Sequence, residues 1–260
     1  MKYKIINISF LCDFQIPLLD KFLVKGKLLD SDNIEFEIKL LTEVWEESNP
    51  IEIYKIPENL NFLFKYNYDY ILSDNKLKKI YANCKEDFEI LLLQIFYAHV
   101  VQRHMIQLHS SLIATTDNRG LMFLGPSGIG KTTQAELWHK YRDALIINGD
   151  IVFVQETADA FLGWGTPWHG SSPYCENTSV PVEALIVLKQ APENAIRELT
   201  GFEKVSEVSN SVFYPRWLEN GMELCLETLN HLLSKLPVYE LRCRPDEDAV
   251  RLTEETIFKN

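Results

Sequence analysis

Residues 125–132 read Gly-Pro-Ser-Gly-Ile-Gly-Lys-Thr and meet the pattern GxxxxGK(S/T) at every fixed position. The spacing has a physical cause. Glycines let the backbone turn until successive N–H groups point inward at an anion, and a helix that follows adds the positive end of its dipole. A chance match in a chain of this length is expected at roughly the one per cent level. The apolar run Leu121–Leu124 before the loop reads as a strand, and Thr132–Tyr141 after it is compatible with a helix. Strand, glycine loop and helix together are the context of a P-loop. On this reading Gly125, Ser127, Gly128, Ile129, Gly130, Lys131, Thr132 and Thr133 cradle the phosphates of ATP. Lys131 reaches the β- and γ-phosphates, and the Thr132 hydroxyl takes one coordination site of Mg²⁺.

Such a loop needs a carboxylate across the phosphate site, normally at the end of a neighbouring apolar strand. Leu145-Ile146-Ile147-Asn148-Gly149-Asp150 supplies that arrangement, so Asp150 is the candidate metal ligand and acceptor of a hydroxyl proton. The rival reading of Asp150 is a plain turn residue beside Gly149.

The rest of the chain divides by pattern. Residues 1 to about 84 carry short apolar runs separated by Ser31-Asp32-Asn33, Ser48-Asn49-Pro50 and Ser73-Asp74-Asn75. Phe36, Ile38 and Leu40 alternate with charged residues, as do Ile51 and Ile53, which predicts an antiparallel sheet with one wet face. Phe88, Leu91, Leu92, Ile95, Phe96 and His99 recur at helical spacing and predict an amphipathic helix. A boundary near residue 100 then separates a β-rich N-terminal part, 1–100, from a nucleotide-binding part, 101–260. In the second part, strands are expected at Gln107–Ala114, Leu145–Ile147, Ile151–Gln155, Ala184–Leu188 and Val238–Arg242. Met222 to Leu236 marks one face of a long helix between Gly221 and Pro237, and a last helix starts at about Asp246. Gly163–Tyr174 has neither period and reads as a shaped loop, in which Trp168 and His169 could line an acceptor pocket. Arg197 and Arg216 are candidate phosphate contacts by charge, with solvated surface positions as the rival reading.

Composition excludes several classes of partner. The 26 Lys and Arg against 37 Asp and Glu give a net charge of −11 with no basic cluster, so neither nucleic acid nor an anionic membrane surface is expected as a partner. The five cysteines are scattered without metal-ligand spacing and read as reduced thiols of a cytoplasmic protein. The longest apolar segment, Ile90–Val101, is too short to cross a bilayer and contains Gln94 and His99. The opening MKYKIINISFLCDF is interrupted by Asp13 and reads as a first strand rather than a targeting signal.

In Leu108-His109-Ser110-Ser111, Gly125 to Thr133, and Asn148-Gly149-Asp150, the chain resembles the catalytic domain of the HPr kinase/phosphorylase family and its smaller relatives associated with peptide modification. A more distant likeness connects it to the ATP-dependent phosphoenolpyruvate carboxykinases. The resemblance covers roughly residues 101–260 and extends loosely through Gly165-Thr166-Pro167-Trp168-His169-Gly170 to the stretch 237–244. It implies an α/β fold with a P-loop kinase core of this type beside the β-rich N-terminal part. It also implies a place for His109 near the transferred phosphate.

The family usually carries two adjacent aspartates where this chain has Gly149-Asp150, so either Asp150 serves both metal and base or another acid contributes. The long signature for phosphorolysis is missing, which argues against HPr as the acceptor. The expected activity is therefore an ATP- and Mg²⁺-dependent kinase with Asp150, Lys131 and His109 as its catalytic residues. Its acceptor would be a hydroxyl, serine above all, on a peptide or small protein. A nucleotide-binding accessory module of a peptide-modification system and a small-molecule kinase are the alternatives. Assembly as a homo-oligomer stays open.

Overall fold

The computed structural model describes residues 1–26, 33–40, 60–66, 69–83 and 88–258. Ile51 and Ile53, expected to alternate along a strand, lie outside the described residues. The chain forms a mixed α/β structure that divides into two compact units, Met1–His99 and Val100–Asn260.

The first unit is built on a sheet of β1 (Lys2–Ile5), β2 (Ile8–Cys12), β3 (Phe36–Leu40), β4 (Leu60–Tyr66), β5 (Asp69–Asp74) and β6 (Lys79–Ala82), in the order β1-β2-β3-β6-β5-β4. A 3₁₀ helix, Pro17–Phe22, follows the first hairpin and buries Leu19 and Phe22. The sheet is mixed rather than antiparallel, because β3 runs parallel to both β2 and β6. Long connections on either side of β3 allow this, whereas a short turn such as the one at Ile6 and Asn7 joins antiparallel neighbours.

Helix α1 (Phe88–Val101) forms where the helical period begins, but it is not amphipathic. Leu91, Leu92, Leu93, Ile95, Phe96, Tyr97 and Ala98 are all buried, so apolar residues surround the axis and only Ile90 stands well exposed. His99 near its end is also buried, stacked on Phe36 with ring centroids 4.7 Å apart. One ring nitrogen lies 3.1 Å from the Leu77 carbonyl and the other 3.4 Å from Glu35.

The second unit holds a nine-stranded sheet of β7 (Met105–Ala114), β8 (Gly120–Leu124), β9 (Leu145–Asn148), β10 (Ile151–Glu156), β11 (Phe161–Trp164), β12 (Ser179–Gln190), β13 (Ala195–Leu199), β14 (Val212–Phe213) and β15 (Val238–Cys243). The pairings β11-β10-β7-β8-β12 close on themselves, since the first residues of β12 return to β11. Long β7 makes this possible by changing partners midway: Met105–His109 pair with β10, and Ser110–Ala114 pair with β8. Strands β8, β12 and β15 are mutually parallel, so their carboxyl ends lie on one side.

Helix α2 (Lys131–Arg142) begins at the glycine loop and turns Ala135 and Trp138 into a core with Phe123, Ile146, Ile186 and Leu241. Helices α3 (Gly201–Ser209), α4 (Gly221–Lys235) and α5 (Glu247–Ile257) complete the unit, the last capped by the Asp246 carboxylate accepting from Ala249 N–H at 3.0 Å. The segment expected to be a loop from Gly163 starts inside β11, a strand too short and too glycine-rich for its alternation to register. No described helix is long and apolar enough to cross a membrane.

Burial lowers the pKa of His99 below its ordinary value, against the opposing pull of Glu35. The unfolded chain then binds more protons than the folded one, so this contribution to stability is present above about pH 6.5 and is lost as pH falls through the lowered value. The protection factors of β3 amides, corrected for the intrinsic exchange rate at each pH, should fall between about pH 7 and pH 5. His99→Phe should flatten that dependence, and an unchanged slope would contradict the assignment.

Candidate functional site

The glycine loop closes the gap between the end of β8 and the start of α2. Gly125, Gly128 and Gly130 take φ of 138°, 78° and 113°, conformations that side chains with a Cβ rarely adopt. A Cβ at Gly128 or Gly130 would meet nothing within 4 Å, so backbone conformation rather than space requires glycine there. The first turn of α2 carries no acidic side chain, and His139, Lys140 and Arg142 occupy its last turn. The positive end of the helix therefore faces the loop without an internal counter-charge.

Lys131 is 7% exposed, and its Nζ donates to the Gly125 and Pro126 carbonyls at 3.1 and 3.3 Å. Burial lowers its pKa, while the Asp150 charge works in the opposite direction. Ser111 Oγ on β7 donates to the Lys131 carbonyl at 2.9 Å and fixes the first turn of α2 to the sheet. Thr132 Oγ1 donates to the Gly149 carbonyl at 3.4 Å, which brings the helix start to the turn bearing Asp150.

That turn is held by Asn148, which is fully buried. Its side-chain oxygen accepts from the N–H groups of Asp150 and Ile151 at 2.8 and 3.0 Å. Its amide nitrogen donates to the Thr166 carbonyl at 2.9 Å and also reaches the Trp168 carbonyl at 3.3 Å. One side chain thus sets both the carboxylate turn and the segment that folds over it.

Asp150 faces His109, whose Nε2 lies 2.9 Å from Oδ1. The pairing follows from register, because His109 sits opposite Ile151 at the point where β7 changes partners. The hydrogen bond from His109 is the largest influence on Asp150 and holds its carboxyl below the usual range, helped by the charges of Lys131 and His169 and opposed by burial. The side chain of Ile129 packs against the core, which leaves its main chain in the glycine loop.

His109, Ser127, Lys131, Thr132, Asp150 and His169 line one cavity of about 360 Å³. The segment 169–172 forms its far wall, where Ser172 Oγ donates to the His169 carbonyl at 2.8 Å and the His169 ring donates to the Ser172 carbonyl. Sequence reasoning missed Asn148, Gly170 and Ser172 as builders of this wall. Of these, only Asn148 left a local sign, its place two residues before Asp150 in a turn.

A Cβ on residue 149 would collide with Ser172 Oγ and lie 2.7 Å from Ser172 Cβ. A Cβ on residue 170 would lie 2.7 Å from Asp150 Oδ2. The wall therefore packs in the space a second aspartate at 149 would need, and the site is built around a single carboxylate.

Three expected contacts are placed elsewhere. Trp168 is 6% exposed and does not line the cavity, although His169 beside it does. Arg197 on β13 is tied to Glu203 and to Glu240, the latter at 3.1 Å, which raises its pKa further. Neither Arg197 nor Arg216 lines the cavity.

Beside the imidazoles of His109 and His169, the cavity offers a metal the Asp150 carboxylate and the Thr132 hydroxyl. Hard oxygen donors in small number suit Mg²⁺, which keeps several waters and takes the rest of its shell from phosphates. No group of three or more His, Cys, Asp and Glu able to hold a metal by themselves occurs among the described residues.

No protein-family model matches the chain, and no curated protein matches it. Among solved structures, the Hpr(Ser) kinase/phosphatase from Coxiella burnetii aligns with 59% of this chain and 88% of its own at 11% identity and a TM-score of 0.34. Neither the fold nor the activity of this chain follows from a likeness of that size.

The tight fit at residue 149 gives a direct test. Gly149→Ala should destabilise the second unit by about 1–3 kcal/mol through overpacking. Adding Ser172→Gly should recover most of the loss. Additive losses in the double variant, read by thermal unfolding, would contradict the packing described.

Proposed function

We propose that the chain is an ATP- and Mg²⁺-dependent phosphotransferase that uses its glycine loop as a P-loop and transfers the γ-phosphoryl group to a hydroxyl, serine above all, on a peptide or protein. The observation that carries this reading is the convergence of Lys131, Thr132, Asp150 and His109 on one cavity at the mouth of the glycine loop. Four groups from three separate stretches of chain meet where a triphosphate would lie.

The loop amides and the start of α2 bind the phosphates, and Lys131 turns from the Gly125 and Pro126 carbonyls toward their β- and γ-oxygens. Thr132 and Asp150 would hold Mg²⁺, which would supply positive charge against the charge that builds on the transferring group. In the transfer itself, the acceptor oxygen forms a bond to the γ-phosphorus as the bond to the β,γ-bridging oxygen breaks. ADP leaves, and the acceptor proton passes to Asp150.

A carboxyl held low by His109 is a weak base, so Asp150 acts first by positioning the hydroxyl and its charge. That suits a loose transition state, in which little proton transfer is needed before the phosphorus–oxygen bond breaks. His109 keeps the carboxylate ionised and oriented. The Phe213 ring, 6.2 Å from the His109 ring and 43% exposed, offers an apolar edge on which an acceptor peptide could rest.

The single carboxylate favours a second reading, a nucleotide-binding accessory module in which ATP occupancy orders a surface for a partner enzyme. The two readings part at Asp150→Ala. Under the kinase reading, incubation with γ-labelled ATP, Mg²⁺ and a panel of serine peptides and small hydroxyl compounds labels an acceptor with the wild type. The variant should retain ATP within about tenfold yet lose at least 10²-fold in transfer. Labelling confined to small compounds would move the acceptor class to metabolites. Full transfer by the variant would remove Asp150 from the chemistry, whereas no transfer by a wild type that binds ATP would favour the accessory module.

A further inference from the structure

The glycine loop has a second face. A separate cavity of about 320 Å³ opens there, between α2 on one side and, on the other, the ends of β12 and β15 with the residues that follow them. Gly128, Gly130 and Thr133 line both this cavity and the one that holds Asp150, so an extended ligand can cross the loop from one to the other. The position is at the carboxyl ends of the parallel strands β8, β12 and β15, the side on which α/β sheets bind their ligands. Its volume falls at the lower end of the range for small-molecule sites, about 300–1,000 Å³.

Gln134 lines the cavity and is 3% exposed. It lies on the apolar face of α2, one residue before Ala135 and four before Trp138, where an apolar side chain would ordinarily stand. Its amide nitrogen donates to Cys243 Sγ at 3.2 Å. Its amide oxygen has no hydrogen-bond partner, one of three such buried side-chain atoms among the described residues.

Cys243 also lines the cavity, and burial pushes its thiol up to about 11, so it stays neutral and is a weak partner at best. Whichever way the amide is turned, one end of Gln134 lacks a strong partner. The rim cations are already matched, Lys189 with Glu207 and Arg244 with Asp246. The unmet polar group of this cavity is therefore a neutral amide, suited to an uncharged polar ligand rather than to another phosphate.

We propose that this second cavity holds the nucleoside part of the nucleotide, with the Gln134 amide hydrogen-bonding a ribose hydroxyl or the exocyclic amine of the base. The inference rests on the nucleotide reading of the glycine loop and adds the subsite that tells a nucleotide from a bare triphosphate. Ala191, whose N–H donates to the Cys243 carbonyl at 3.1 Å, stands at the wall of the cavity and marks where a large side chain would fill it.

Calorimetry with Mg²⁺-ATP and with inorganic tripolyphosphate separates the two levels. In the wild type ATP should bind more tightly than tripolyphosphate. Gln134→Met, close in volume and without the amide, should weaken ATP about five- to tenfold and leave tripolyphosphate unchanged. Ala191→Trp should abolish the preference for ATP and serves as the second variant should Gln134→Met melt early. Weaker binding of 2′- or 3′-deoxy-ATP to the wild type would assign the amide to the ribose. Weaker binding of purine riboside triphosphate would assign it to the base amine.

Equal effects of both variants on ATP and tripolyphosphate, or none on either, would overturn the subsite while leaving the phosphate site standing. Full-strength binding of all three analogues would overturn the role given to Gln134. A wild type that binds neither ATP nor tripolyphosphate would remove both the subsite and the nucleotide reading beneath it.

Discussion

The buried side chain of Asn148 is the contact on which the candidate site depends. It closes the turn that aims Asp150 and, through its amide nitrogen, ties that turn to the backbone at Thr166 and Trp168. Without it neither the carboxylate nor the wall at 169–172 would have a fixed place relative to the glycine loop. Such a residue does its work through satisfied hydrogen bonds in a dry environment, where an unpaired amide is expensive.

Strand β7 gives the second constraint. By changing partners between His109 and Ser110, it puts an imidazole at a discontinuity of the sheet, where β10 ends one pairing and β8 begins another. His109 N–H reaches the Ser211 carbonyl at 2.8 Å, and Ser110 N–H reaches the Asp150 carbonyl at 2.9 Å. The backbone on both sides of the histidine is therefore anchored, and the His109–Asp150 pair is preorganised rather than assembled by a ligand. Rigidity of this kind suits a reaction that proceeds by positioning and electrostatics.

The parts of the molecule that could be read from the sequence are those specified by neighbours in the chain. The strand before the glycine loop, helix α2 after it, α4 between Gly221 and Pro237 and the cap at Asp246 are set by local patterns of apolar residues, glycine and proline. The parts that could not be read are set by contacts between distant segments. Nothing near Gly149 reveals that Ser172 will fill the space above it, and nothing near Gln134 reveals that its amide will donate to Cys243. The parallel pairing of β3 and the burial of most of α1 likewise depend on long connections and packing, which periodicity does not encode. Arg197 is a candidate by charge alone, and its acidic neighbours Glu203 and Glu240 become visible only in the folded chain.

In the function proposed, main-chain amides around Ile129, the start of α2 and Lys131 together form a site for a magnesium-bound triphosphate. Isothermal titration of the purified chain with ATP, with and without Mg²⁺, tests it most directly when Lys131→Ala is run alongside. Saturable, magnesium-dependent binding by the wild type and a loss of at least tenfold in the variant are expected. Absence of binding by the wild type, or equal affinity in the variant, would contradict the proposal.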